Sequence, residues 1–324
     1  MKDLLEAILS HLRSGKRAML ATVAERRGSA PRGVGTAMAV FENGEQAGTV
    51  GGGAMEYRVR QDAVELLREN TSAMKAYEIH ADETNGSSGG VTILFRPFSG
   101  EEGRLRAENM LDAFQCEEGR YLVCRMMRED ALETSLMDAS AVCALMGQDD
   151  PPRQALFLHK EQGYLIEPLL PASRVILFGG GHVAQVMARQ LDLLDCRVWV
   201  VEDRAEFAVR ALFPLAERVV HCAYEDAQGE LQITKRDHVI VMSRGHETDY
   251  QILRWVLRSA ADYVGCIGSK RKIALTRERL LADGVTRERL DRLHAPIGLE
   301  IGAETPAEIA VSVAAEWIRY RSEK

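Results

Sequence analysis

Val175-Ile176-Leu177-Phe178-Gly179-Gly180-Gly181-His182-Val183-Ala184 decides the fold of the second half of this chain. Four consecutive apolar residues read as a strand buried on both faces, as a central parallel strand is. Glycines follow at once, and a helical pattern runs from His182 to Leu194. The stretch fits G-x-G-x-x-A. Gly179 allows the tight turn, Gly181 lets a pyrophosphate approach the backbone, and Ala184 lets helix and strand pack closely. Backbone N–H groups and the helix dipole then face an anion, with His182 in the first turn. The next strand, Arg197 to Val201, ends in Glu202-Asp203. These acids stand about 20 residues after Gly181, where a carboxylate accepts hydrogen bonds from ribose hydroxyls.

Outward from this turn the pattern repeats. His238 to Met242 and Tyr263 to Ile267 are further apolar strands, and helices are expected at 249–259 and after Ser269. Strands alternating with helices predict a Rossmann-type, doubly wound parallel sheet. Pro168 and Pro171 bracket a linker, so the chain divides into an α+β domain over 1–171 and the Rossmann-type domain over 172–324. The first domain opens with Leu4, Leu5, Ile8, Leu9 and Leu12 at helical spacing, stopped by Gly15. A strand at 18–23, a glycine-rich loop at 26–35, a hairpin around Asn43-Gly44 and a helix at 54–70 follow. A helix is expected within 100–118, and 75–97 and 120–169 read as short strands. At the far end, Thr305-Pro306-Ala307-Glu308 is a capping box with proline at the first helical position.

Composition narrows the functional classes. Lys and Arg total 41 against 48 Asp and Glu, a net charge of −7. That excludes the basic face nucleic-acid binding normally requires. No run approaches 18 apolar residues, so no membrane span is expected. The N-terminal segment is an amphipathic helix rather than a secretion signal, which places the chain in the cytoplasm. Six cysteines occur with no CxxC pair, so they read as free, mostly buried thiols, and no metal site is expected.

Ligands of an open α/β sheet sit at the carboxyl ends of its strands. Two more loops emerge there. Ser243-Arg244-Gly245-His246-Glu247-Thr248-Asp249 offers an arginine for anions and a histidine able to act as donor, base or metal ligand; Thr248 or Asp249 reads as the cap of the following helix. Gly268-Ser269-Lys270-Arg271-Lys272 places an N-cap serine before three cations, an arrangement opposed by the helix dipole unless an anion is present. In the first domain, Gly28-Ser29-Ala30-Pro31-Arg32-Gly33 and Gly51-Gly52-Gly53 are the densest glycine clusters. The second precedes a helix and leaves its N-terminus open to an anion, with Arg32 as a bidentate partner. Glu56 in that helix's first turn and His246 are the candidate catalytic groups. No Ser-His-Asp or Cys-His arrangement is present.

Taken together, ATVAERRGSAPRGVG, AGTVGGGAMEYRV, FGGGHVAQVMARQL with VVEDRAEFA, MSRGHETD, YVGCIGSKRK and APIGLEIGAETPAEIAVSVAAE resemble the XdhC/CoxI family of molybdenum-hydroxylase maturation factors. The pieces span both halves in family order; 100–170 matches least. The resemblance implies an N-terminal XdhC/CoxI domain and a C-terminal Rossmann domain. It also implies a chaperone-like role: binding molybdenum cofactor (molybdopterin or its dinucleotide), supporting its sulfuration with a cysteine desulfurase, and delivering it to an apo xanthine dehydrogenase or aldehyde oxidoreductase. A homodimer is common among such factors. Two positions depart from the family pattern. Ser88 stands where many members have cysteine, and Arg244 where many have histidine, so a metal or sulfur role built on those residues does not carry over.

The alternative is an NAD-dependent oxidoreductase, with Glu202 or Asp203 on the ribose and His246 as proton donor; no Tyr-x-x-x-Lys set accompanies the fingerprint. A third reading makes the Rossmann half an interaction platform with an empty pocket.

Overall fold

The computed structural model describes residues 1–28, 32–79, 89–116, 118–126, 132–159 and 162–323. The chain forms two compact units, Met1–Pro171 and Ala172–Lys324.

The first unit contains α1 (Lys2–Arg13), β1 (Ala18–Gly28), β2 (Ala37–Phe41), β3 (Gln46–Gly48), α2 (Gly53–Glu69), β4 (Ala73–Ile79), β5 (Gly89–Phe98), α3 (Gly100–Ala113), β6 (Arg120–Met126), β7 (Leu132–Met137), α4 (Ala139–Met146), β8 (Leu156–His159) and β9 (Gly163–Leu169). Two antiparallel sheets result, ordered β3-β2-β1-β5-β4 and β7-β6-β9-β8. Leu4, Leu5, Ile8, Leu9 and Leu12 of α1 are all buried, as their spacing predicts. They share a core with Leu20 and Leu94 of the larger sheet, Ala107 and Met110 of α3, and Leu122 and Leu165 of the smaller one. Helix α2 covers the opposite face of the larger sheet through Met55, Val59, Ala63 and Leu67.

Two local expectations fail here. Arg26, Arg27 and Gly28, expected in a loop, extend β1 and pair with β5, Arg27 opposite Gly90. The ladder is a backbone property and continues past the apolar run into exposed residues. Helix α4 lies inside a region expected to be strands; the Asp138 carboxylate accepts from the Ala141 N–H at 2.8 Å, and Gly147 ends the helix in a left-handed conformation. Helix α3, Gly100–Ala113, lies within the expected 100–118.

A buried ion pair joins the two sheets. Arg96 of β5 donates to both oxygens of Glu167 of β9, at 2.5 and 2.9 Å, and to the Thr22 hydroxyl at 2.6 Å. Arg96 and Glu167 are each 3% exposed.

The second unit contains β10 (Arg174–Phe178), α5 (His182–Asp192), β11 (Arg197–Glu202), β12 (Arg218–His221), α6 (Ala227–Glu230), β13 (Asp237–Val241), α7 (His246–Val256), β14 (Tyr263–Cys266), α8 (Lys270–Ala282), α9 (Arg287–Asp291), β15 (Leu293–His294) and α10 (Pro306–Ser322). All six strands are parallel, ordered β12-β11-β10-β13-β14-β15. Numbered within the unit this is 3-2-1-4-5-6, the Rossmann order, with its topological switch point between β10 and β13. Only four of these strands show as apolar runs in the sequence. The edge strands β12 and β15 are short and largely polar, so the pattern misses them.

Alternation along each strand feeds two cores. Val175 and Leu177 face α5 and α10, meeting Met187, Val313 and Trp317. Ile176 and Phe178 face α7 and α8, meeting Ile252, Leu253 and Leu280. The capping box of α10 forms as predicted, Thr305 accepting from the Glu308 N–H and Glu308 from the Thr305 N–H. All six cysteines are unpaired, but only Cys124 and Cys266 are buried, so the expectation of mostly buried thiols holds for two. Among the described residues no helix is long and apolar enough to cross a membrane.

Removing one partner of a buried ion pair strands the other charge. Glu167→Gln should therefore cost roughly 3 kcal/mol or more, read as a lowered midpoint in urea unfolding. The double change Arg96→Met with Glu167→Leu should recover most of that loss.

Candidate functional site

The turn between β10 and α5 is shaped by crowding. Gly179 has φ +120°, and a Cβ there would lie 2.8 Å from the Met242 carbonyl carbon and 3.1 Å from the Ser243 Cα. At Gly180 a Cβ would lie 2.9 Å from the Phe207 carbonyl oxygen and 3.0 Å from a Glu202 carboxylate oxygen. Gly181 differs. It is the N-cap of α5 with an ordinary φ of −70°, and a Cβ there would meet nothing within 4 Å. Any residue fits the backbone at Gly181, so the fold does not require glycine; the position leaves open space before the first N–H groups of α5. Ala184 is buried against the sheet, as the fingerprint requires. His182 is exposed beside the opening.

The two acids after β11 have separate tasks. Glu202 is fully buried and accepts from the Gly180 N–H at 2.5 Å and from the Arg204 backbone and guanidinium at 2.7–3.0 Å. Burial pushes its carboxyl up, but these hydrogen bonds outweigh it and hold it at about 2. Both oxygens are thereby committed to the fold, which corrects the expectation that Glu202 meets a ribose. Asp203 pairs with Arg244 at 3.0 Å. Burial and the adjacent Glu202 raise its carboxyl above the usual range. Arg244 follows β13 and Asp203 follows β11, with β10 between them in the sheet. Their ion pair therefore crosses the mouth of the switch point.

Helix α7 begins at His246, with Gly245 as N-cap, rather than at Asp249 as expected. Gly245 is extended, with open space before it and no side-chain cap. Asp249 therefore sits one turn into the helix, where neither it nor Thr248 can cap. Its carboxylate instead accepts from the Ser243 hydroxyl at 2.5 Å.

A cavity of about 120 Å³ lies between the loops after β13 and β14. His246, Asp249 and Arg244 line it on one side, Cys266, Gly268 and Lys272 on the other. Asp249 and Cys266 are buried, whereas Arg244, His246 and Lys272 are exposed. Burial raises the Asp249 carboxyl, opposed by the Ser243 hydrogen bond, and lifts the Cys266 thiol well above its usual value. Of the basic turn, Ser269 is the N-cap of α8 as predicted, accepting from the Lys272 N–H. Lys270 is paired with Glu300 at 2.7 Å, both more than 80% exposed, so the anion expected for it is within the chain. Arg271 is exposed, and Lys272 is the cation that reaches the cavity. Among the described residues no group of three or more His, Cys, Asp or Glu side chains could hold a metal ion.

The N-terminal glycine loop already holds an anion. Gly51, Gly52 and Gly53 all have positive φ. The Glu56 carboxylate accepts from the Val50 and Gly52 N–H groups, both at 3.0 Å, from Gln46 at 2.9 Å and from the Thr49 hydroxyl. Burial acts to raise its carboxyl, but these bonds hold it at about 2. A carboxylate so acidic and so fully engaged is a poor proton acceptor, which corrects its assignment as a catalytic base. Arg32 is exposed. Ser29 and Pro31, and the departure at Ser88, lie outside the described residues.

Sequence reasoning missed Arg204 and Cys266, and named Ser243 and Lys272 only as members of their loops. Arg204 carried a signal, a cation directly after two acids with Phe207 three residues on, over whose ring it lies at 3.9 Å. Packing of adjacent strand ends alone brings Cys266 to the site and sets Ser243 and Lys272 beside it.

Two outcomes test this geometry. Gly179→Ala should destabilise the protein by about 1–3 kcal/mol from backbone strain, with the Met242 contact adding to it, whereas Gly181→Ala should cost less, about 0.5–1 kcal/mol, because alanine is a poorer N-cap than glycine; thermal unfolding distinguishes them. The depressed Glu56 carboxyl contributes stability that is present above its ordinary titration range and lost as pH falls toward 2. Glu56→Gln should thus be less stable at neutral pH, with the gap closing toward pH 2 in acid-unfolding curves.

Comparison with known proteins agrees with this arrangement. Residues 175–317 match the XdhC Rossmann domain, and residues 11–78 match the XdhC and CoxI family. A protein of Bacillus subtilis (strain 168) named as a probable xanthine dehydrogenase subunit is 26% identical over 330 residues, covering 96% of this chain and 95% of that protein. The molybdenum cofactor insertion chaperone PaoD from Escherichia coli (strain K12) is 24% identical over 318 residues, covering 97% and 87%. The crystal structure of a xanthine dehydrogenase from Bacillus halodurans superposes with a TM-score of 0.79 over 100% of this chain and 96% of that one; at 23% identity the likeness speaks to fold alone. With both of its units matched in order, and the matches together spanning well over half its length, the chain belongs to the XdhC/CoxI family.

Proposed function

We propose that this protein binds molybdenum cofactor as cargo, protects it during maturation and passes it to an apo molybdenum hydroxylase. One relative carries the name of a molybdenum cofactor insertion chaperone and another that of a xanthine dehydrogenase component. Both names suit this role. Delivery to a xanthine dehydrogenase or aldehyde oxidoreductase, sulfuration with a cysteine desulfurase, and a homodimeric state are parts of the same proposal.

The observation that carries the reading is the pair Gly181 and Gly245. Both are N-caps bracketing the switch point, both have unstrained backbones, and both face open space. Glycine is a tolerated N-cap, only about a few tenths of a kcal/mol below Ser, Thr, Asp or Asn, but it has no side-chain oxygen to occupy the first N–H groups. The neighbouring helices α8 and α10 use side-chain caps. Leaving α5 and α7 without them keeps two sets of N–H donors free for an anionic ligand, such as the phosphate of molybdopterin or the diphosphate of its dinucleotide. Arg244 and Lys272 add cations at the same edge, and Asp203, Asp249 and His246 complete the proposed contact set. In the N-terminal unit Gly52 and Gly53 also face open space, which keeps that loop accessible.

The nicotinamide alternative fits less well. Glu202 is committed to Gly180 and Arg204, which leaves only Asp203 of the two acids for a ribose.

Native mass spectrometry of protein purified anaerobically from molybdenum-replete cells tests the proposal. The expected result is a bound mass of molybdopterin or its dinucleotide, lost in Gly181→Leu with the circular dichroism spectrum unchanged. Wild-type protein that carries no cofactor under these conditions would overturn it.

A further inference from the structure

We infer that Asp249 reads the donor edge of an aminopyrimidinone ring, the ring common to pterins and guanine, seated in the cavity between the starts of α7 and α8. The inference rests on the cofactor-binding reading above and names which part of the ligand enters this cavity.

The cavity is graded from inside to outside. Asp249 and Cys266 are buried, and Ile267 and Ile273 add apolar wall. Arg244, His246 and Lys272 are exposed around it. A volume of about 120 Å³ equals the liquid volume of roughly four waters. That admits one flat ring and leaves the rest of a ligand outside among the cations. The gradient suits a molecule with a neutral planar head rich in N–H donors and an anionic tail.

The acid's own bonding makes it specific. Asp249 is the one carboxylate among the residues lining the cavity. Its Oδ1 accepts from Ser243 at 2.5 Å, which fixes the carboxylate rotamer. The carboxylate also accepts from the Ser243 backbone N–H, and Asp249 lines the cavity. A carboxylate accepts and does not donate while ionised. It therefore pairs with the 2-amino group and adjacent ring N–H of an aminopyrimidinone, two parallel donors matched to two oxygens, and it repels a 2-oxo group at the same place. Adenine and nicotinamide offer no such pair of adjacent donors. An ionised carboxylate offers about four lone-pair sites, so acceptor capacity remains for both ring donors beside the two Ser243 bonds.

The test compares ligands that differ at this edge alone. Calorimetric titration of wild-type protein with pterin and with lumazine, in which oxygen replaces the 2-amino group, should show pterin binding about ten- to a hundredfold tighter, the range expected for hydrogen bonds to a charged group. GMP should likewise bind tighter than IMP. In Asp249→Asn the Ser243 hydroxyl can donate to the amide oxygen, leaving the amide NH2 to face the cavity, so the preference should reverse toward lumazine. Pterin binding more tightly than GMP would place the pterin end in the cavity; the reverse would place there the guanine of a dinucleotide form. Equal binding of pterin and lumazine by the wild type, or an unchanged ratio in Asp249→Asn, would overturn the inference. The wild-type ratio is read on unaltered protein, so misfolding of the variant cannot hide the answer. Cofactor carried in native mass spectra without any pterin preference would sink this inference alone; a pterin preference without carried cofactor would sink the chaperone reading alone.

Discussion

The C-terminal unit depends on one crowded passage, where the backbone of Gly179 and Gly180 threads between the end of β13 and the Glu202 carboxylate. No side chain fits there, and that closeness brings the carboxyl ends of β10, β11 and β13 to a common edge. Glu202 closes the arrangement from beneath. Its negative charge, drawn fully out of water, is offset by the Gly180 N–H and the Arg204 guanidinium. An acid that a dinucleotide-binding protein turns toward its ligand is here turned into the turn itself. Asp203, the next residue, is partly buried and meets Arg244 from the other side of β10.

The same unit separates helix starts that serve the fold from those left open. Ser269, Thr286 and Thr305 satisfy the first N–H groups of α8, α9 and α10 from within the chain. Helices α5 and α7, which flank the switch point, begin instead at glycines with nothing in front of them. At these two positions no side-chain oxygen occupies the first N–H groups. In the N-terminal unit the opposite choice is made: the glycine loop before α2 looks like an anion cradle, and its anion is Glu56 of the same chain. Two glycine-rich turns similar in sequence thus differ in whether their donors are still available.

Much of this protein was legible in its residues. The apolar run Val175–Phe178, the spaced glycines and the capping box at Thr305 are local signals, since each works through neighbours a few positions away in the chain. The Rossmann class, the two units and the caps at Ser269 and Thr305 followed from them. The family resemblance was legible too, because its motifs are continuous stretches. What failed was of another kind. The polar end of β1 and the edge strands β12 and β15 exist because a partner strand lies alongside, and no periodicity in their own side chains announces that.

The candidate site shows the same division. Sequence by itself determined which loops gather at the ligand edge, because strand–turn–helix order places every such loop at the carboxyl ends of the strands. It also supplied Gly181, Arg244, His246 and Asp249 as residues of interest. Only the tertiary structure decided which of them are free. Glu202 and Glu56 are bound internally, Lys270 is taken by Glu300, and Lys272 rather than Ser269 or Arg271 reaches the cavity beside Asp249. The physical reason is that a charged group's availability depends on every partner within a few ångströms, and those partners come from strands and helices far apart in the chain.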